Sequence, residues 1–392
     1  MNVTDIQAAL REEQLDGWLF YDHHERDPLA YRVLGFRPPR MVTRRWYYFI
    51  PSTGEPRALV HAIESGMLDA LPGAKKKYSS WGTQVEALTT LLGGARRIAM
   101  QYSPKNNIPY IGLVDAGTIE LVRSLGVEIA SSANLVQFFE ARWTEAQLET
   151  HLEAGRRVDR VRADGFVFAG ERLRLGQAVS EYDVQQFILE AFRREGLFTD
   201  HGPIVAVNAN ASNPHYEPTA EVHAPIVKGD LLLIDLWAKL ANDPEAVYYD
   251  ITWTGSTADV IPSEQVRIYE AVAGARDAAI QRVQSAIAAG EAVHGFEVDD
   301  AARGHLRGLG LDHFFIHRTG HSIGRDVHGA GANMDNLETH DDRRLIPGTC
   351  FSIEPGAYLP EFGVRSEVNM YVGAGRAMVT GEIQKELVRI CG

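Results

Sequence analysis

Two cysteines, Cys350 and Cys391, cannot build a disulfide framework in a chain of 392 residues. No apolar run approaches the roughly 20 residues that a membrane-spanning helix needs. The first twenty positions carry Asp5, Glu12 and Glu13 where a secretory signal requires an apolar core. Basic residues are outnumbered 39 to 52, giving a formal charge of −13, which argues against a positive surface for nucleic acid phosphate. These absences leave a soluble protein, expected in the cytoplasm, with neither nucleic acid nor membrane as partner. Its length suits two domains with substantial cores.

The first 140 or so residues read as a small α/β domain. Asp16–Tyr21, Arg45–Ile50, Ala58–His61, Arg97–Met100 and Val127–Ala130 are strand-like, and the turn residues Pro51 to Pro56 separate two of them. No metal or nucleophile constellation stands here. His23 and His24, flanked by Asp22, Glu25, Arg26 and Asp27, read as a solvated loop, and the aromatic run Trp46 to Phe49 as strand core. A boundary falls near Arg142, where Thr144 and Gln147 form a capping-box pattern opening a long helix. Ser180 caps the next helix, which Gly196 ends. A further helix runs from about Ser263 toward Gly290.

Between these helices, acids interrupt apolar strands. Asp235 lies within Leu231–Trp237 and Asp250 within Val247–Thr254, with the turn signal Asn242-Asp243-Pro244 between the two runs. An acid inside a buried strand is costly unless it is paired or coordinated. The two lie 15 positions apart, so an even-length hairpin loop places them directly opposite, with Cβ atoms about 5 Å apart. Glu354 and Glu367, 13 positions apart around the turn Leu359–Gly363, repeat the arrangement. Arg365 is the counter-charge in these strands, and four converging carboxylates need more positive charge than one guanidinium. A glycine-pinned stretch, Ile316–Gly329, brings His317, His321 and His328. One imidazole from it completes an oxygen-rich site with capacity for two divalent ions, suited to manganese, cobalt, iron or zinc.

The motifs carry a resemblance. Asp235, Asp250, His321, Glu354 and Glu367 stand in the contexts Ile-Asp-Leu, Asp-Ile-Thr, Gly-His-Ser-Ile-Gly, Glu-Pro-Gly and Arg-Ser-Glu. In that order they resemble the ligands of the pita-bread dinuclear metallopeptidases. With its added N-terminal domain, the chain resembles the Xaa-Pro peptidases, prolidase and aminopeptidase P. The resemblance implies an α+β fold, with a pita-bread catalytic domain over 141–392 and a smaller creatinase-type α/β domain over 1–140. It also implies two divalent ions per subunit, manganese first and cobalt or zinc as alternatives, and a homodimer. Asp235 and Asp250 would hold one ion, Asp250, His321 and Glu354 would surround the other, and Glu367 would bridge both. Such a pair lowers the pKa of a bridging water and polarises the scissile carbonyl. By the same resemblance Glu354 shuttles the proton, His328 hydrogen-bonds the oxyanion, His215 and His317 line the substrate pocket, and Arg365 orients acids or substrate.

Several positions depart from the family pattern. Trp237 replaces a common glycine, Trp253 a common arginine, and Ser322, Arg325 and Gly329 alter the histidine motif. The loop before Pro347-Gly348 offers His340, Arg343 and Arg344 as partners for a substrate carboxylate. The expected activity is hydrolysis of the bond preceding proline in Xaa-Pro dipeptides. The alternatives are an aminopeptidase for longer peptides and a catalytically silent binding protein on the same fold.

Overall fold

The computed structural model describes residues 2–37 and 41–391. The chain divides into two compact units, Met1–Glu140 and Ala141–Gly392. No helix among the described residues is long and apolar enough to cross a membrane.

The first unit is built on a six-stranded sheet in the order Ala74–Tyr78, Arg57–His61, Trp46–Pro51, Gly17–Asp22, Arg97–Met100, Glu128–Ser131. Trp46–Pro51 runs antiparallel to both neighbours, and the remaining pairs are parallel. Every position of Trp46–Pro51 is buried, so its aromatic residues are sheet core, as the sequence predicts. The strand Ala74–Tyr78 escapes sequence reading because it carries three consecutive lysines, a charge pattern that protects a sheet edge from further pairing. His24, with φ 65°, lies in an exposed bend. At the carboxyl ends of Gly17–Asp22, Arg57–His61 and Ala74–Tyr78 a cavity of about 850 Å³ opens, lined in part by Arg26, Arg44, Arg45, His61 and Trp81. Those residues come from separate segments, which hides the cavity from a linear reading.

In the second unit the helix Glu145–Arg174 begins at the Thr144/Gln147 capping box and Glu181–Arg194 at a second box between Ser180 and Asp183. The helix Ser263–Ala289 stops at Gly290, which takes φ 71°. The strands Leu231–Leu240 and Tyr249–Ser256 form a hairpin at the centre of one sheet. Leu232, Ile234, Leu236, Tyr249 and Ile251 pack from its outer face onto Val158, Val161, Val184 and Ile188 of the first two helices. A second sheet contains Cys350–Ile353, Val368–Gly373 and Arg376–Thr380. Phe351, Ile353, Val368 and Met370 pack onto Ile268, Val272, Ala302 and Leu306 of Ser263–Ala289 and Gly295–Gly308. Strand side chains alternate between faces, so the intervening residues Asp235, Asp250, Thr252, Ser352, Glu367 and Asn369 are turned away from both helical layers.

Candidate metal centre

The two hairpins deliver their acids differently. In the first, Asp235 is in register with Thr252 and Asp250 with Trp237. The aspartates are therefore diagonal neighbours on one face, and the expectation that they stand directly opposite is wrong. Pairing begins at Ala238 and Tyr249, while Tyr248 donates its N–H to Gly324 O at 2.9 Å, outside the ladder. Spacing parity dictates the face; the connecting loop dictates the offset. The second hairpin keeps one continuous register from Cys350↔Tyr371 to Tyr358↔Gly363, which sets Glu354 opposite Glu367. Its ladder opens at that point. Glu354 donates its N–H to Thr319 O at 2.7 Å and Glu367 to Thr252 O at 3.1 Å. The opening thus ties this hairpin to the histidine loop and to the first hairpin.

The histidine loop is pinned by backbone packing. A Cβ on Gly320 would lie 1.9 Å from Ser352 O, so only glycine lets the two chains approach. His321 N–H then donates to Ser352 Oγ at 3.0 Å, and its Nδ1 meets Ser322 O at 3.2 Å. A carbonyl only accepts, so Nδ1 carries the proton and Nε2 presents a lone pair. That Nε2 lies 3.5 Å from Asp250 Oδ2 and 3.4 Å from Glu354 Oε1. Ligand atoms of Asp250, His321 and Glu367 all fall within 4.8 Å of one another. All three residues are buried, yet Asp250 Oδ1 and Glu367 Oε1 have no hydrogen-bond partner among the described residues. Buried carboxylates with oxygens that lack donors, grouped with an imidazole lone pair, are an arrangement that a cation satisfies.

Asp235 has a different partner. Arg365, buried in the same hairpin as Glu367, donates Nη2 to Asp235, Nε to Thr252 Oγ1 at 3.0 Å and Nη1 to the Tyr358 hydroxyl at 3.2 Å. Burial nevertheless raises the Asp235 carboxyl to about 7, against the opposing pull of Arg365. Asp250 and Glu367 are pushed well above the usual carboxylate range by burial and by the other acids. Glu354 goes the other way: burial pushes it up, but His321, His317, Arg365 and Arg318 outweigh that and lower it. His321 is lowered by burial, and the nearby Glu354 offsets this in part.

A model of metallopeptidase family M24 matches residues 149–374, more than half of the chain. The chain belongs to metallopeptidase family M24. Its fold is the α+β pita-bread fold of that family, preceded by a further unit. An Xaa-Pro dipeptidase of Lactobacillus delbrueckii subsp. lactis is 33% identical over 227 residues, 57% of this chain and 55% of that protein, so the chain spans about half of that relative's length. A probable dipeptidase PepE of Mycobacterium tuberculosis is 25% identical over 346 residues, 86% of this chain and 84% of that protein. Among solved structures, dipeptidase PepE from Mycobacterium ulcerans superposes with TM-score 0.70 at 23% identity, covering 99% of this chain and 96% of that one. A recombinant prolidase from Thermococcus sibiricus gives 0.61 at 23% identity, with coverages of 99% and 98%.

Around the M24 cluster, small polar residues hold the acids in place. Thr252 Oγ1 donates to Glu367 Oε2 at 2.7 Å, Ser352 Oγ to Glu354 Oε1 at 3.0 Å, and Asn369 Oδ1 accepts Asp250 N–H at 2.9 Å. Sequence reading passed over all three. The signal was present, because each stands two positions from an acid and so shares its strand face.

The outer residues divide. His328 lies ring to ring with His321, centroids 4.3 Å apart, and that neighbour together with burial lowers it to about 3. His317 donates Nδ1–H to Arg318 O at 2.7 Å and accepts the Tyr358 hydroxyl at Nε2, 2.6 Å away. A hydrogen-bonded chain therefore runs from His317 through Tyr358 and Arg365 to Asp235. His215 is exposed, and its backbone N–H donates to Asn213 Oδ1 at 3.2 Å. Arg343 is drawn inward: it is buried in a two-pronged bond to Asp341 at 2.6 and 2.9 Å and donates to Ala330 O, which removes it as a carboxylate clamp. His340 contacts Asn336 Oδ1 at 2.8 Å. Trp237 donates to Asp200 Oδ1 at 2.8 Å, and Arg162 lies 3.4 Å over the Trp253 ring.

Proposed function

We propose that this chain is an Xaa-Pro dipeptidase that holds two divalent metal ions, manganese first, through Asp235, Asp250, His321, Glu354 and Glu367. The observation that carries the reading is the buried group Asp250, His321 and Glu367, with two carboxylate oxygens lacking donors beside an imidazole lone pair. Divalent ions bound there supply Lewis acidity toward the scissile carbonyl and a water activated near neutral pH.

The chain's own groups supply the rest. Arg365 fixes Asp235 in place and opposes the rise that burial imposes on its carboxyl, and Thr252 couples that arginine to Glu367. Glu354, the acid with the lowered pKa, stays ionised until it accepts a proton, then delivers it to the imino nitrogen that leaves with proline. His328 donates a hydrogen bond to the oxygen on which negative charge develops, and His317 and His215 border the substrate. The bond preceding proline is a tertiary amide, so a site that recognises the ring needs no N–H from it.

Dipeptidase names on relatives aligned over most of this chain support the dipeptidase reading. The engagement of Arg343 by Asp341 favours the second reading, an aminopeptidase for longer Xaa-Pro peptides, because it removes one candidate for binding a terminal carboxylate. Hydrolysis by the manganese-loaded protein of Leu-Pro and Leu-Pro-Gly separates the two. Cleavage confined to Leu-Pro supports the dipeptidase; cleavage of the tripeptide replaces it with the aminopeptidase.

A further inference from the structure

Trp237 is in register with Asp250 and on the same strand face as Asp235, so its indole borders the acid cluster. It packs against the apolar cluster that contains Val247, Tyr248 and Ile323 and against the one that contains Ile204, Ala206 and Leu233, which Tyr216, the neighbour of His215, also borders. Its Nε1–H donates to Asp200 Oδ1 at 2.8 Å, which fixes that carboxylate at the rim of the same face. Asp200 is otherwise under-used. Its side chain is 38% exposed, and among the described residues its ion-pair contact is the exposed His201, Nδ1 at 3.5 Å from Oδ2. Lys239 donates to Arg325 O at 2.6 Å and lies 4.8 Å from the Tyr248 ring centre. Arg325 in turn pairs with Glu245 at 3.2 Å.

An aromatic face beside a carboxylate with open valence is a cation-binding combination, since the ring quadrupole and the anion attract the same charge. We propose that Trp237 and Asp200 form a subsite for a basic side chain, lysine or arginine, on the residue preceding the scissile bond. This rests on the peptidase reading above and adds its substrate class. The charge recognised is the side chain's, because the α-amino group is common to every substrate and cannot discriminate among them.

The test compares kcat/KM for Lys-Pro and Met-Pro, two peptides of similar reach that differ in charge, with the manganese-loaded protein. The wild type is expected to favour Lys-Pro. In Asp200→Asn the ratio of Lys-Pro to Met-Pro falls about fivefold, the worth of one partly exposed ion pair, and in Asp200→Lys the preference reverses. Trp237→Leu, which removes ring and clamp together, lowers the ratio as well. Circular dichroism and metal content, unchanged in Asp200→Asn, exclude unfolding as the cause. An unaltered ratio in Asp200→Asn overturns the subsite, and so does an equal fall for both peptides, which places the charge at the α-amino group. If neither peptide is cut by the metal-loaded wild type, it is the peptidase reading that fails.

Discussion

Arg365 donates to Asp235 across the two hairpins, so the guanidinium it brings to the acid cluster is committed to a single acid. Removing it leaves Asp235 buried without compensation. Arg365→Met is expected to cost about 3–5 kcal/mol in the metal-free protein. Urea unfolding with and without manganese checks this: the deficit should shrink when metal is added, whereas an equal deficit in both conditions would mean that the arginine serves packing alone.

Thr252 links Arg365 to Glu367 through a single hydroxyl. Thr252→Val keeps the shape and removes the link. A partner of this kind typically contributes 10–100-fold to metal affinity, so weakening of about that size is expected in calorimetric manganese titrations.

His151 is fully buried between Tyr248 O and Thr380 Oγ1, each at 2.7 Å, and burial lowers it to about 4. Below the ordinary value of 6.5 the unfolded chain binds a proton that the folded chain refuses, so this residue's contribution to stability is lost as pH falls from about 6.5 toward 4. The loss amounts to about 3 kcal/mol. His317 and His328 are lowered too, so the difference between wild type and His151→Gln isolates the term. Denaturant midpoints of the variant should vary less with pH across that window, whatever its absolute stability.

Gly320→Ala drives a methyl group into Ser352 O and displaces the backbone that carries His321. A stability loss of about 2–3 kcal/mol is expected, with metal affinity falling alongside it. Thermal melts and manganese titration of the same sample measure both.

Much of the fold could be read from spacing. The capping box at Thr144, the cap at Ser180, the stop at Gly290 and both acid-bearing hairpins follow from local chemistry that the structure retains. The offset of Asp235 from Asp250 was not legible, because strand alternation gives only parity, while the tertiary bond from Tyr248 to Gly324 sets where pairing starts. The lysine-rich edge strand at Ala74 was hidden for the opposite reason, since its composition serves protection of an edge and not a core. Arg343 reads as an available cation until Asp341, two positions away, is seen to fold back onto it. Thr252, Ser352 and Asn369 needed only the alternation rule, applied outward from each acid.

The most direct measurement follows Leu-Pro hydrolysis while manganese is titrated into metal-free protein, with bound metal counted in the same samples. Activity should rise from none and saturate at two ions per chain, and Asp250→Asn should neither fill the site nor cut the peptide. Full metal occupancy without cleavage, or cleavage in excess chelator, would contradict the account.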